Sequence, residues 1–149
     1  MSINDLYCLL KKYQNVMDLN APISRDEVEN FELDNNIRLP NDYKEMLSLF
    51  NGGEIFVPGT FIYGVTNNNE DSVRFANRSS LRKIFHIPCN YMIFAKVNYG
   101  DFLCINLNFP HDVIQWDHEK DEQFCYWSSL VEWMSETISE YCRYEKGNK

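Results

Sequence analysis

A chain of 149 residues, 44% hydrophobic and 15% aromatic, is the length of one ordinary domain and too apolar to stay disordered. Its net charge of −8 repels phosphate backbones and anionic lipid, which excludes non-specific binding to nucleic acid or membrane surfaces and favours a basic partner. The polar start Met1–Asp5 has no basic-then-apolar leader, and no stretch nears the ~20 apolar residues of a bilayer span. The chain is therefore expected in the cytoplasm, as one domain over residues 1–149.

Ile3, Leu6, Leu10, Tyr13 and Met17 recur at helical spacing, with Ser2 and Asp5 as a capping pair. Asn20-Ala21-Pro22 breaks that helix. A second begins at Ser24, capped with Glu27, buries Val28 and Phe31, and ends near Asn35-Asn36, where Asn tolerates a left-handed backbone. Pro40 opens a third, lined by Tyr43, Met46, Leu47 and Phe50, and Gly52-Gly53 stops it.

The period then changes to two. Glu54–Val57 and Thr60–Val65 flank Pro58-Gly59 as a hairpin, and Asn67-Asn68-Asn69 reads as a turn. Asp71–Phe85 is polar and basic, an irregular helix in which Arg74, Arg78 and Arg82 would share a face. Tyr91–Val97 and Asp101–Leu107 are strands around the Asn98-Tyr99-Gly100 turn. Val113–Trp116 is a further strand, Asp117–Glu122 a charged loop, and Gln123–Tyr126 a brief pairing.

The closing helix is capped by Ser129 with Glu132, and Trp127, Leu130, Val131, Met134, Ile138 and Cys142 form its apolar stripe. Helices first, strands in the middle and a helix last predict an α+β fold, a mostly antiparallel sheet with helices packed on it.

Chemistry is sparse. Cys8, Cys89, Cys104, Cys125 and Cys142 form no CxxC pair and read as reduced core thiols, with neither a zinc site nor a redox motif. Gly52-Gly53 lacks the spacing of a phosphate loop. His86, His111 and His118 fall in no nucleophile motif, and His111 and His118 bracket a strand, at its opposite ends. No catalytic group, cofactor or metal is expected. What stands out is an acidic loop, Asp117, Glu119, Asp121 and Glu122, beside Trp116 and Tyr126, a patch suited to a basic protein.

Ile23-Ser24-x-x-Glu27-Val28-x-x-Phe31-Glu32, then Ile37-x-Leu39-Pro40-x-Asp42-Tyr43-Lys44-x-Met46-Leu47, then Phe50-Asn51-Gly52-Gly53, resembles the signature of the SUKH superfamily. The later strands and the closing helix fit it as well. Asn35 or Asn36 stands where members usually carry Gly, and Arg74–Phe85 has no match.

The superfamily includes fungal regulators of cell-wall synthesis and many bacterial immunity proteins. The resemblance therefore implies a SUKH-like scaffold and a non-catalytic, protein-binding role. The expected partner is a cognate toxin, possibly a nuclease, bound directly and without nucleic acid or membrane; the alternative is a scaffold for cell-wall or signalling enzymes. The expected contact residues are Tyr99, Asp101, Trp116, Asp117, Glu119, Asp121 and Glu122, on a monomer or weak homodimer.

Overall fold

The structure is a computed structural model that describes residues 1–56, 59–65 and 70–147. Helix α1 (Ile3–Leu10) starts at the reciprocal Ser2/Asp5 capping box. It does not continue to Met17: the chain tightens into a 3₁₀ segment, Lys11–Val16, kinked at Tyr13, and Met17–Leu19 is strand β1. The apolar spacing that suggested one long helix serves two elements, because Met17 is needed opposite Ile55 in the sheet.

Helix α2 (Arg25–Asn35) is capped by Ser24 and closes on Asn36 at φ 48°, the left-handed position expected of Asn. Helix α3 (Asn41–Leu49) follows Pro40 and buries Tyr43, Met46 and Leu47. The hydroxyl of Tyr43 donates to the Tyr63 carbonyl at 2.7 Å, and complete burial drives its pKa far up.

The Asn51-Gly52-Gly53 run is a clasp. Asn51 accepts from Val65 N–H at 2.8 Å and donates to the Val65 carbonyl at 3.1 Å. Gly52 and Gly53 sit at φ 76° and 124°, and a Cβ on Gly53 would lie 2.3 Å from the Asp18 carbonyl oxygen. Only glycine allows that approach.

The sheet is a seven-stranded antiparallel meander in which each strand lies beside its sequence neighbours. After β1 come β2 (Gly53–Ile55), β3 (Thr60–Ile62), β4 (Tyr91–Val97), β5 (Phe102–Asn106), β6 (Val113–Asp117) and β7 (Glu122–Trp127). The first hairpin is shorter than Glu54–Val57 and Thr60–Val65; Val57 and Pro58 lie outside the described residues, as does the Asn67-Asn68-Asn69 turn. The brief pairing at Gln123–Tyr126 is a full strand, and it includes Trp127, which sequence spacing put on the last helix. That helix, α6 (Leu130–Gly147), buries Leu130, Trp133, Met134 and Ile138.

Both faces of the central strands are covered, which explains their unbroken apolar runs. Met92, Phe94, Leu103, Ile105 and Val113 pack with α1, α3 and α6. Ile93, Phe102, Cys104, Ile114 and Trp116 form a second core with Ala76 and Ile87. The segment over that second core is two short helices, α4 (Val73–Ala76) and α5 (Ser79–Ile84).

The break falls at Asn77, so the arginines do not share one helical face. Arg78 lies over the Phe75 ring, and half-buried Arg82 donates to Asn77 and to the Pro88 carbonyl, both at 2.7 Å. Asn77 itself donates to the Ile93 carbonyl and accepts from Ile93 N–H, both at 2.8 Å. That pair of bonds satisfies β4 beside its bulge between Ile93 and Ala95.

Candidate binding surface

The candidate residues converge at one end of the sheet. Antiparallel pairing brings the β4–β5 turn and the β6–β7 turn to the same edge, which makes Tyr99 and Asp101 neighbours of Asp117 and His118. Asp101 is almost wholly buried. Its Oδ1 accepts from His118 N–H at 3.1 Å and lies 2.6 Å from His118 Nδ1, and its Oδ2 accepts from Gln115 at 2.9 Å. Gln115 also donates to the Tyr99 hydroxyl at 2.8 Å. Burial raises the Asp101 pKa, but the bonds from His118 and Gln115 outweigh it and leave the carboxyl below its usual value.

The β6–β7 turn is self-braced. Asp117 Oδ1 accepts from the backbone N–H groups of Glu119 and Lys120 at 2.9 and 3.0 Å. Asp121, at φ 53°, donates its N–H to the Asp117 carbonyl, and its side chain meets His86 Nδ1 at 3.1 Å. Asp117 and Glu122 stand opposite each other in the register of the hairpin, an arrangement of like charges that disfavours pairing.

The seven expected residues divide. Glu119, Glu122 and Tyr99 are exposed and Asp117 and Asp121 half-buried, so these carry charge and ring surface that solvent reaches. Asp101 faces inward as the clamp just described. Trp116 is also inward: it is 8% exposed and its indole N–H donates to the Phe85 carbonyl at 2.7 Å. Its ring fixes α5 and its following loop under the hairpin and presents no face to solvent.

Sequence reading overlooked Phe124, which lines a pit of about 290 Å³ with Tyr99, Asp101, Asp117, His118 and Glu119. Phe124 and Tyr126 are 64% and 58% exposed. The signal for Phe124 was an aromatic ring two residues after Glu122 and two before Tyr126, masked by the shortness of the run.

Asp101, Asp117 and His118 each place one ligand-type atom within 4.8 Å of the others. Both Asp101 oxygens and Asp117 Oδ1 already accept hydrogen bonds from the chain, so the trio acts as a brace for the turn. His111, at the other end of β6, meets the Asn106 carbonyl at 2.9 Å through Nδ1. Among the cysteines only Cys104 is a buried core thiol, its pKa pushed up to about 12 by burial; Cys8 and Cys89 are exposed, because each lies on the outward side of its segment. No described helix is long and apolar enough to cross a membrane.

Among known proteins, the model of the SMI1 / KNR4 family (SUKH-1) matches residues 22–136. That span runs from the residue before the Ile23-Ser24 motif to the middle of α6 and includes the whole of the candidate surface. No curated protein matches the chain.

Proposed function

The chain belongs to the SMI1 / KNR4 family (SUKH-1), and from that premise we propose that it is an immunity protein that neutralises a cognate toxin by direct binding. The family in general comprises non-enzymatic immunity or regulatory domains. The observation that carries the finer reading is the β6–β7 hairpin. It holds Asp117 opposite Glu122, with Glu119 and Asp121 in the turn, beside the exposed rings of Tyr99, Phe124 and Tyr126.

A like-charge pair lowers the stability of the free protein, and a basic partner relieves that repulsion on binding. The surrounding rings supply the large, rigid contact area on which interfaces depend. A nuclease toxin presents such a basic groove, and an acidic inhibitor of net charge −8 is steered to it at a distance. Tyr99, Asp117, Glu119, Asp121 and Glu122 make the contact, while Asp101 and Trp116 hold them in place.

The experiment is co-expression with a candidate toxin from the neighbouring genes, scored by growth and then by isolation of a one-to-one complex. Rescue with complex formation is the expected result. A folded protein that fails to rescue overturns the immunity role and points to the family's other role, a scaffold for cell-wall or signalling enzymes.

A further inference from the structure

We infer that the free edge of β7 accepts an extended, basic segment of a protein partner as an eighth strand of the sheet. The inference rests on the domain being a protein binder and adds to that reading the mode of recognition and the conformation of the partner.

A meander leaves two edges. At one, β1 is only three residues long, and the residue after it, Asn20, donates its N–H to the Gly52 carbonyl. At the other, β7 runs six residues and, among the described residues, pairs with β6 alone. The pairing with β6 shifts register between Gln115 and Trp116, so Phe124 is an extra residue of β7 and projects at a bulge; the outward backbone groups on either side of it are the template for another strand.

The side chains on that edge suit recognition. Tyr126 lies opposite Ile114, on the sheet face that carries α4 and α5. Phe124 lies with Tyr99 near Gln115, on the face that carries α6. An added strand directs alternate side chains to the two faces and would meet one exposed ring on each.

Charge selects the occupant. Glu122 lies in the strand, and Glu136 accepts from the Trp127 indole at 2.5 Å. Glu140, with Glu136, is near enough to Cys125 to raise its thiol pKa, after the larger effect of burial. Among the described residues, none of Glu122, Glu136 and Glu140 makes an ion pair. Two β7 edges brought together would set these carboxylates against each other, which disfavours a second copy of this chain. A lysine- or arginine-bearing strand meets complementary charge along the same edge.

The probe is a synthetic peptide of about nine residues alternating lysine and valine, long enough to span β7. Its controls are the glutamate–valine analogue and two versions N-methylated at alternate amides, one in each register. The readouts are affinity and the amide shifts and hydrogen exchange of Glu122–Trp127.

The basic peptide is expected to bind there and protect β7 amides. The glutamate peptide should not bind. N-methylation in one register should weaken binding about tenfold or more while the other register is tolerated, because only one set of peptide amides faces β7. The Glu122→Lys/Glu140→Lys variant should weaken it by a similar factor.

Absence of binding, shifts confined to other strands, or equal affinity for both N-methylated peptides would overturn strand addition. If the protein still rescues growth in that case, the immunity reading survives and only the mode fails. Peptide binding without rescue removes the toxin and keeps the edge.

Discussion

Asp101 Oδ1 lies 2.6 Å from His118 Nδ1, and this contact ties the β4–β5 turn to the β6–β7 hairpin across the end of the sheet. Gly100 makes the approach possible, since a Cβ there would stand 2.8 Å from His118 Nε2. Asp101→Asn keeps the shape but loses the charge that holds His118. It is expected to cost about 1–3 kcal/mol at neutral pH.

The pH dependence of that cost follows from the depressed pKa of Asp101. A carboxyl below its ordinary 3.8 in the folded protein contributes stability that is present above 3.8 and is lost as pH falls through the folded value. Urea unfolding of both proteins should show the wild-type advantage constant near neutrality and shrinking below 3.8. An advantage that persists unchanged at about pH 2.5 would remove Asp101 as its source.

Trp116 supports the surface from beneath, so its substitution should separate folding from recognition. Trp116→Phe removes the indole N–H and leaves the Phe85 carbonyl without that donor, at a cost of about 1–3 kcal/mol. Partner affinity per folded molecule should stay within about twofold. A large loss of affinity with unchanged stability would place Trp116 in the interface after all.

Asn77, between α4 and α5, hydrogen-bonds β4 through both backbone groups of Ile93. Asn77→Ala strands both backbone groups of Ile93 and one donor of Arg82, and several unmet groups together should cost about 2–5 kcal/mol. Chemical denaturation measures it. Asn77→Asp, which keeps the acceptor for Ile93 and Arg82 but not the donor, should fall between the two.

Glu122 bears on both stability and the proposed contact. Glu122→Lys turns the repulsive pair with Asp117 into an attractive one and should raise the melting temperature. It should also weaken a basic partner about tenfold or more, mainly through slower association that is less sensitive to salt. A variant that gains stability and keeps full, salt-dependent affinity would move the contact away from this hairpin.

Thiol chemistry should follow exposure. Exposed Cys8 and Cys89 should react with a thiol reagent in the native protein, whereas Cys104, buried and with its pKa near 12, should react only on unfolding. Mass spectrometry after timed labelling gives the order directly. Early labelling of Cys104 would contradict its place in the second core.

Local rules carried far in this chain. Ser2, Ser24 and Ser129 each cap the helix expected of them, and Asn36 takes the left-handed turn. Tyr91–Val97 is the strand that its pattern predicts, whereas α3 stops at Leu49 with Phe50 already extended, three residues short of the Gly52 expected to stop it. Those features depend on neighbours within a few residues, where spacing and backbone preference decide. The α+β class follows from their order, and the SUKH-like scaffold from the resemblance that the Ile23–Gly53 run carries.

Tertiary structure decided the rest, because it depends on which residues meet across the sheet. Met17 left the helix for β1 since Ile55 lies opposite. Trp116 turned inward because a second core, with α4 and α5 above it, waits on that face. Asp101 became a buried clamp only when β6 brought His118 beside it. Sequence identified an acidic loop beside aromatic residues; the register of β5, β6 and β7 made it a hairpin and determined which of them point outward. Alternation in a strand states that neighbours face opposite ways, but which way is fixed only by what the two faces pack against.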